Sequence, residues 1–135
     1  MAAAVAELNE ILSEERACVW ILRQARFRCY DASQIEVIQS ILDGYDHICV
    51  ELEHTIGALG GEPTEMSSER PATDGRGESL VDKLKAVEAL QQHVITKIDT
   101  VIAEPGLERC KQLLLAIRQF HFDNLRWLAE ALGAS

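Results

Sequence analysis

Apolar residues recur at the three- and four-residue spacing of an amphipathic helix along most of the chain. Turn and cap residues divide this pattern into four segments, at Asp31, at the Gly60–Gly61 pair and at Pro105. The second predicted helix runs from the Asp31 cap to the glycine pair, and the others span residues 3–29, 79–103 and 107–133. No strand-like alternation of useful length is present, so the pattern predicts an all-α fold.

The sequence between the second and third helices has a different composition. Residues 61–77, GEPTEMSSERPATDGRG, contain almost no apolar side chains and two prolines, which is typical of a long exposed linker. Two helical hairpins joined by one long crossover connection indicate a four-helix bundle with the ferritin-like topology, and an up-down-up-down bundle remains the alternative. With 135 residues, 47% of them hydrophobic, the chain can fill one core, so we expect a single domain over residues 1–135.

The charge balance restricts the classes of partner. Lys and Arg number 13 against 22 Asp and Glu, a formal net charge of -9 at pH 7. Such a field repels nucleic-acid phosphates and anionic membranes, so neither is expected as a partner. No apolar run approaches the roughly 20 residues of a membrane span, and the first residues lack the basic start of a signal peptide. Four scattered cysteines without C-x-x-C spacing indicate reduced thiols, so we expect a cytoplasmic protein.

Polar residues that interrupt the apolar stripes are the candidates for function. At about 100° per residue, Glu15 falls in the middle of the stripe of the first helix. The same projection places Tyr45, Gln91 and His121 within the stripes of the other three helices, each near the middle of its helix. Midpoints of antiparallel helices share one layer of a bundle, so we expect these four side chains to converge. Arg118, one turn before His121, is expected to lean inward beside it.

With these features and the sequences of several short segments, the chain resembles the ferritin-like superfamily and especially its small bacterial members of unassigned function. The similar segments are LNEILSEERA, ALGGEPT, LQQHVITKI and HFDNL. The resemblance covers nearly the whole chain. It implies a bundle that, in the metal-binding members, holds one Glu from each of two helices and Glu-x-x-His from each of the other two.

The resemblance also implies an incomplete carboxylate site. Glu15 keeps the first ligand position, and the fourth helix reads Arg118-x-x-His121, with a cation where a carboxylate belongs. Tyr45 and Gln91 occupy the inward positions of the second and third helices. Two metal ions in a dry core need several carboxylates to balance their charge, and this set does not supply them.

The interpretation that follows is a buried polar network without a cofactor. An uncompensated buried carboxylate costs several kcal/mol, so Glu15 needs partners, and Arg118 and His121 are the expected ones. The guanidinium would then stand where the metal is missing. A single iron or manganese ion held by Glu15 and His121, with Asp46 or Glu88, is the alternative.

A second group of possible ligands lies on the opposite face of the second helix. His47, Glu51 and His54 are spaced at i, i+4 and i+7 and are expected to point outward. They could hold a zinc ion, but a solvated polar face is the more common explanation. His93 is likewise expected on the surface of the third helix.

Large apolar residues outside the stripes suggest self-association. Trp20, Ile21, Phe120 and Trp127 are predicted to point away from the core, which favours a homodimer interface. Two functional classes remain open: a non-enzymatic, dimeric ferritin-like bundle with a polar network, and a metal-binding protein or oxidoreductase with a reduced ligand set. The residues leave open whether the protein is an enzyme.

Overall fold

The computed structural model describes residues 2–29, 31–65 and 79–133. Within them the chain forms helices α1 (Ala2–Phe27), α2 (Ala32–Ala58), α3 (Leu80–Val101) and α4 (Lys111–Gly133). A short 3₁₀ helix, Glu108–Cys110, precedes α4, so the fourth predicted helix begins as a tighter turn. Of the predicted linker 61–77, residues 61–65 are described and the rest lies outside the described residues.

The helix ends follow from their capping residues. Asp31 caps α2, because its Oδ1 accepts the backbone N–H of Ser33 at 2.8 Å. Ser79 caps α3 in the same way, with its hydroxyl accepting the N–H of Asp82 at 3.1 Å. At the end of α2, Gly60 adopts φ +84° and Gly61 donates its N–H to the carbonyl of Ile56 at 2.9 Å. This left-handed turn ends the helix and turns the chain back along the bundle.

The helices pack in the order expected for a bundle with one crossover. Helix α1 packs against α2 and α3, and α3 packs against α4, whereas α2 touches α4 more sparsely. The pairs α1/α4 and α2/α3 therefore face each other across the centre as diagonals. An up-down-up-down bundle would make α1 and α4 neighbours, so that alternative is wrong.

The start of the crossover is attached to α1. Asn9 donates from Nδ2 to the carbonyl of Glu62 at 3.0 Å and accepts the N–H of Thr64 at 2.7 Å through Oδ1. Arg16 donates to the carbonyl of Thr64 and pairs with Glu53 of α2 at 3.0 Å. Residues 61–65 thus run up the outer side of α1, towards the end of the bundle at which α3 begins.

Two apolar clusters fill the core, one on each side of the bundle's middle. One cluster includes Leu8, Ile11, Leu12, Leu52, Ile56, Ile98, Leu114 and Ile117. The other includes Leu22, Ile41, Leu42, Leu84, Val87 and Leu128. Among the described helices, none is long and apolar enough to cross a membrane.

Candidate functional site

A layer of polar side chains separates the two apolar clusters, and each helix contributes one of them. Glu15, Tyr45, Gln91 and His121 are all fully buried, with 0% of each residue exposed. The structure therefore brings together the four residues that the helical projection placed inward. All four residues are buried for the same reason, because each is a polar residue at the centre of the otherwise apolar stripe of its helix.

Two short contacts span the two diagonals of the bundle within this layer. His121 Nε2 of α4 lies 2.8 Å from Glu15 Oε1 of α1. Gln91 of α3 donates from Nε2 to the hydroxyl of Tyr45 on α2 at 2.7 Å. The two helices of each diagonal are thus joined by a hydrogen bond across the centre, in addition to the apolar packing of the bundle.

The polar layer is only partly satisfied by protein atoms. Within the described part of the chain, Glu15 Oε2, His121 Nδ1 and Gln91 Oε1 are buried and have no hydrogen-bond partner. If Nε2 of His121 carries the proton and donates it to the carboxylate, Nδ1 is left as a bare lone pair.

Aromatic rings close the layer on the α2–α4 side. The rings of Tyr45 and Phe120 meet edge to face, with centroids 5.2 Å apart. His121 lies against both rings, at 5.5 Å from each centroid. Gly44 makes this contact possible, since a Cβ there would lie 2.8 Å from Cζ of Phe120.

The thiols near the layer are held in their neutral form. Burial, together with the neighbouring Glu15, raises the pKa of the Cys18 thiol well above its usual range. Burial raises the pKa of Cys49 to about 12, and burial with the nearby Cys18 raises that of the Tyr45 phenol well above its usual range. Nucleophilic cysteine chemistry needs a thiolate, so these residues do not form a nucleophile at neutral pH.

Arg118 is the predicted site residue that the structure places elsewhere. Its Nε donates to Asp99 Oδ1 of α3 at 2.6 Å, and its guanidinium lies 4.7 Å over the ring of Phe122. The prediction that it pairs with Glu15 is wrong. Arg118 stands at the edge of the α4 stripe beside α3, and its long side chain reaches water and a surface carboxylate there, which avoids burying a second charge.

Comparison with known proteins places the chain in a family. The model of a family described as "Domain of unknown function (DUF6306)" matches residues 2–130. The chain belongs to the DUF6306 family. A search of curated proteins found no match for the DUF6306 chain.

The fold of this DUF6306 protein is similar to that of a solved ferritin-like protein. The crystal structure of a "ferritin like, diiron-carboxylate" protein from Bacillus anthracis superposes with a TM-score of 0.81. The alignment covers 97% of this chain and 96% of that one at 14% sequence identity. The predicted ferritin-like four-helix fold is thereby confirmed.

The residues of the polar layer do not fit a di-metal centre. Glu15 is the only buried carboxylate among the described residues, and Tyr45 and Gln91 are engaged with each other. Two divalent or trivalent ions would bring several positive charges into this layer, against one carboxylate. No three His, Cys, Asp or Glu side chains of the described segments are grouped so that they could hold a metal ion.

The residues considered for a single ion are dispersed. Asp46 is exposed on α2 and lies 3.9 Å from Arg23, and Glu88 is half-buried on α3. Neither joins Glu15 and His121 in a set of three ligands. The reason is their angular position, since both lie well to the side of the stripe centre of their helix.

The predicted surface histidines lie where the projection put them. His47 and His54 are exposed on α2, Glu51 between them is half-buried, and the three do not form a metal-binding group. His93 is exposed on α3, and its Nδ1 lies 3.1 Å from Glu14 Oε1 of α1. These polar residues belong to the outer faces and helix seams of the bundle.

The residues predicted for a subunit interface divide into three groups. Ile21 is buried in the chain's own core, so its assignment to an outer face is wrong. Phe120 is half-buried against Tyr45, and Trp20 is half-buried with contacts of its own. Trp127 is 52% exposed. Positions at the flank of a helix stripe face the neighbouring helices of a four-helix bundle, which explains why Ile21, Phe120 and Trp20 are more buried than predicted.

Asn124 and Lys83 are buried polar residues that the sequence interpretation missed. They are 5% and 2% exposed respectively. Asn124 follows His121 by three residues and so lies on the same side of α4. That spacing is the signal that would have found it. For Lys83 the sequence offers no comparable signal.

Proposed function

We propose that this DUF6306 protein is a metal-independent, non-enzymatic ferritin-like module, in which a buried polar network stands in place of a di-metal centre. The observation that supports it most is the 2.8 Å contact between Glu15 and His121, both fully buried. The imidazole contacts one oxygen of Glu15, the layer's only carboxylate, and a metal ion would need that oxygen as a ligand. Tyr45 and Gln91, engaged with each other, close the other diagonal.

A single-ion site is the second candidate, because Glu15 Oε2 and His121 Nδ1 have no partner within the described residues. Iron and manganese are the ions to test. Two atoms are a small ligand set, and a third carboxylate or imidazole is not grouped with them in the described segments.

Metal analysis separates the two candidates. Protein purified without chelator should be folded and hold iron and manganese well below one ion per chain. Adding anaerobic Fe²⁺ or Mn²⁺ should leave the melting temperature unchanged, since an ion that binds the native state would raise it. Glu36→Gln, at an exposed position of α2, serves as the control for loss of a carboxylate outside the layer. Stoichiometric metal that is retained in Glu36→Gln and lost in Glu15→Gln would establish the metal-binding alternative.

We further propose that the protein forms a homodimer through the outer face of α4. Leu115 and Phe122 support this, because they are 40% and 41% exposed and lie two turns apart on one side of the helix. Equilibrium sedimentation should give twice the chain mass, and Phe122→Glu should shift it towards the monomer. A wild-type monomer at high concentration contradicts the proposal.

A cytoplasmic location is proposed on the state of the thiols. All four cysteines are free and buried, which suits a reducing compartment. Fractionation of cells that express the intact protein is the test.

A further inference from the structure

The outer face of α4 carries three apolar residues at a spacing of two helical turns. Leu115 and Phe122 are 40% and 41% exposed, and Ala129 is exposed two turns further along the helix. Positions two turns apart differ by only about 20° around a helix, so the three side chains form one line along α4. The bulky ring of Phe122 stands in the middle of this line, between a leucine and an alanine.

Phe122 is held in place although much of its ring is exposed. The Arg118 guanidinium lies 4.7 Å from the centroid of the Phe122 ring, and Arg118 Nε donates to Asp99 Oδ1 of α3 at 2.6 Å. A side chain that is already ordered loses little conformational freedom when a partner covers it. Aromatic residues and arginine are also enriched in protein interfaces. Phe122 is therefore the expected centre of a contact.

Side-chain size distinguishes two orientations of a second α4 against this line. In a parallel pair each residue meets its own copy, so Ala129 faces Ala129 and a gap remains at that end. In an antiparallel pair with its two-fold axis at Phe122, residues equally far on either side of the axis meet. Leu115 of each copy then faces Ala129 of the other copy. Large residues packed against small ones fill the interface at both ends.

Charge favours the same orientation. Arg126 is exposed beside the line, and the exposed side chains of Gln119 and Asp123 are joined by a hydrogen bond of 3.0 Å. A parallel pair would bring Arg126 against Arg126 of the second copy. The antiparallel pair brings Arg126 to the side of the second copy that carries Gln119 and Asp123, where a carboxylate can pair with the guanidinium.

We infer that two copies of the chain pair antiparallel through α4, with the two-fold axis at Phe122 and with Leu115 of each copy packed on Ala129 of the other. This inference rests on the proposed homodimer and adds the orientation and register of its interface. Because Phe122 directly follows His121, the polar layers of the two copies would lie at the same height on either side of the interface.

Added cysteines test the register. Full-length protein with Leu115→Cys is mixed with protein carrying Ala129→Cys, left to exchange subunits and oxidised mildly, and disulfide-linked dimers are measured on a non-reducing gel. The mixture should give at least about 10-fold more linked dimer than either variant alone, since a disulfide requires α-carbons less than about 7 Å apart. Val50→Cys, at a position of α2 that is 48% exposed, is the matched control and should not link. The four native cysteines are buried.

A second measurement leaves the three apolar residues unchanged. Nitroxide labels on Gln112→Cys or on Asp123→Cys report the distance between the two copies of one position by double electron–electron resonance. Gln112 lies almost three turns before Phe122, so its two labels should be separated by about 30 Å along the helix axis of an antiparallel pair, whereas those on Asp123 should be nearly level. A parallel pair would give similar distances at both positions.

Failure of the dimer and failure of its orientation give different results. A monomer at every concentration in equilibrium sedimentation contradicts the homodimer itself, and the antiparallel arrangement with it. A dimer in which Leu115→Cys links to its own copy, or in which the two label distances are alike, contradicts only the antiparallel arrangement. A dimer that survives Phe122→Glu and dissociates in Val50→Glu would place the interface on α2 instead.

Discussion

The contact between Glu15 and His121 predicts a strong, non-additive effect on stability. Replacing His121 by Leu leaves a fully buried carboxylate with neither oxygen paired, whereas replacing Glu15 by Leu leaves an imidazole N–H unpaired. The double change removes both polar groups from the same place. It leaves two leucines of suitable size between the two apolar clusters.

The three costs differ for physical reasons. Stranding the carboxylate should lower the free energy of unfolding by about 3–5 kcal/mol, and stranding the imidazole should lower it by about 1–3 kcal/mol. The double variant needs only repacking, which costs below about 1.5 kcal/mol when volume is conserved. The coupling between Glu15 and His121 should therefore be at least about 2 kcal/mol.

Urea unfolding followed by far-ultraviolet circular dichroism, in buffer with chelator, measures the cycle. Arg118→Met is the control, because it removes a half-exposed pair with Asp99 and should cost less than about 1 kcal/mol. Additive effects of the two leucine substitutions would refute a direct buried pair. So would an Arg118→Met variant that is as unstable as the single core variants.

Three further results are expected. Gly44→Ala should destabilise the protein by about 1–3 kcal/mol, because the added methyl group would overlap the ring of Phe120 on α4. A methyl group added by Gly57→Ala in the same helix meets nothing within 4 Å, so this variant should be as stable as wild type or more stable. Thermal unfolding of both variants measures the difference. The four cysteines should react slowly with a thiol reagent at pH 8 in native protein and quickly in urea, because burial raises their pKa values, that of Cys49 to about 12; a fast native thiol contradicts this. Burial raises the pKa of the Glu14 carboxyl despite the nearby His93, so ionisation of Glu14 opposes folding. The contribution of Glu14 to the free energy of unfolding is most favourable below the pKa that this group has in the unfolded chain. That contribution is lost as the pH rises through the pKa of Glu14 in the folded protein. Glu14→Gln should therefore match wild type near pH 4 and gain relative stability towards pH 7, and unfolding curves that show the opposite trend would disprove this.

The fold was largely predictable because helical periodicity and end signals agree along this chain. Asp31 and Gly60 mark real helix ends, and the polar run after Gly61 does begin a crossover. The choice between bundle topologies could not be made from periodicity alone. It depends on which helices become neighbours, a property of the packed state.

The candidate layer was predictable for a similar reason, and the errors have one cause. Glu15 and His121 sit at stripe centres, where the angular position leaves no choice but the core. Arg118, Ile21 and Phe120 sit at stripe edges, where the identity of the adjacent helix decides whether a side chain meets protein or water. The sequence projection contains no information about that neighbour.

The two hydrogen bonds between Asn9 and residues 62–64 bear on how the chain folds during synthesis. Their donors and acceptors lie wholly within the first 65 residues, so they can form before the ribosome has produced α3. From then on the growing chain leaves the first hairpin along α1, on one side of it. The first part of the crossover can therefore be held against α1 while half of the protein is still to be made.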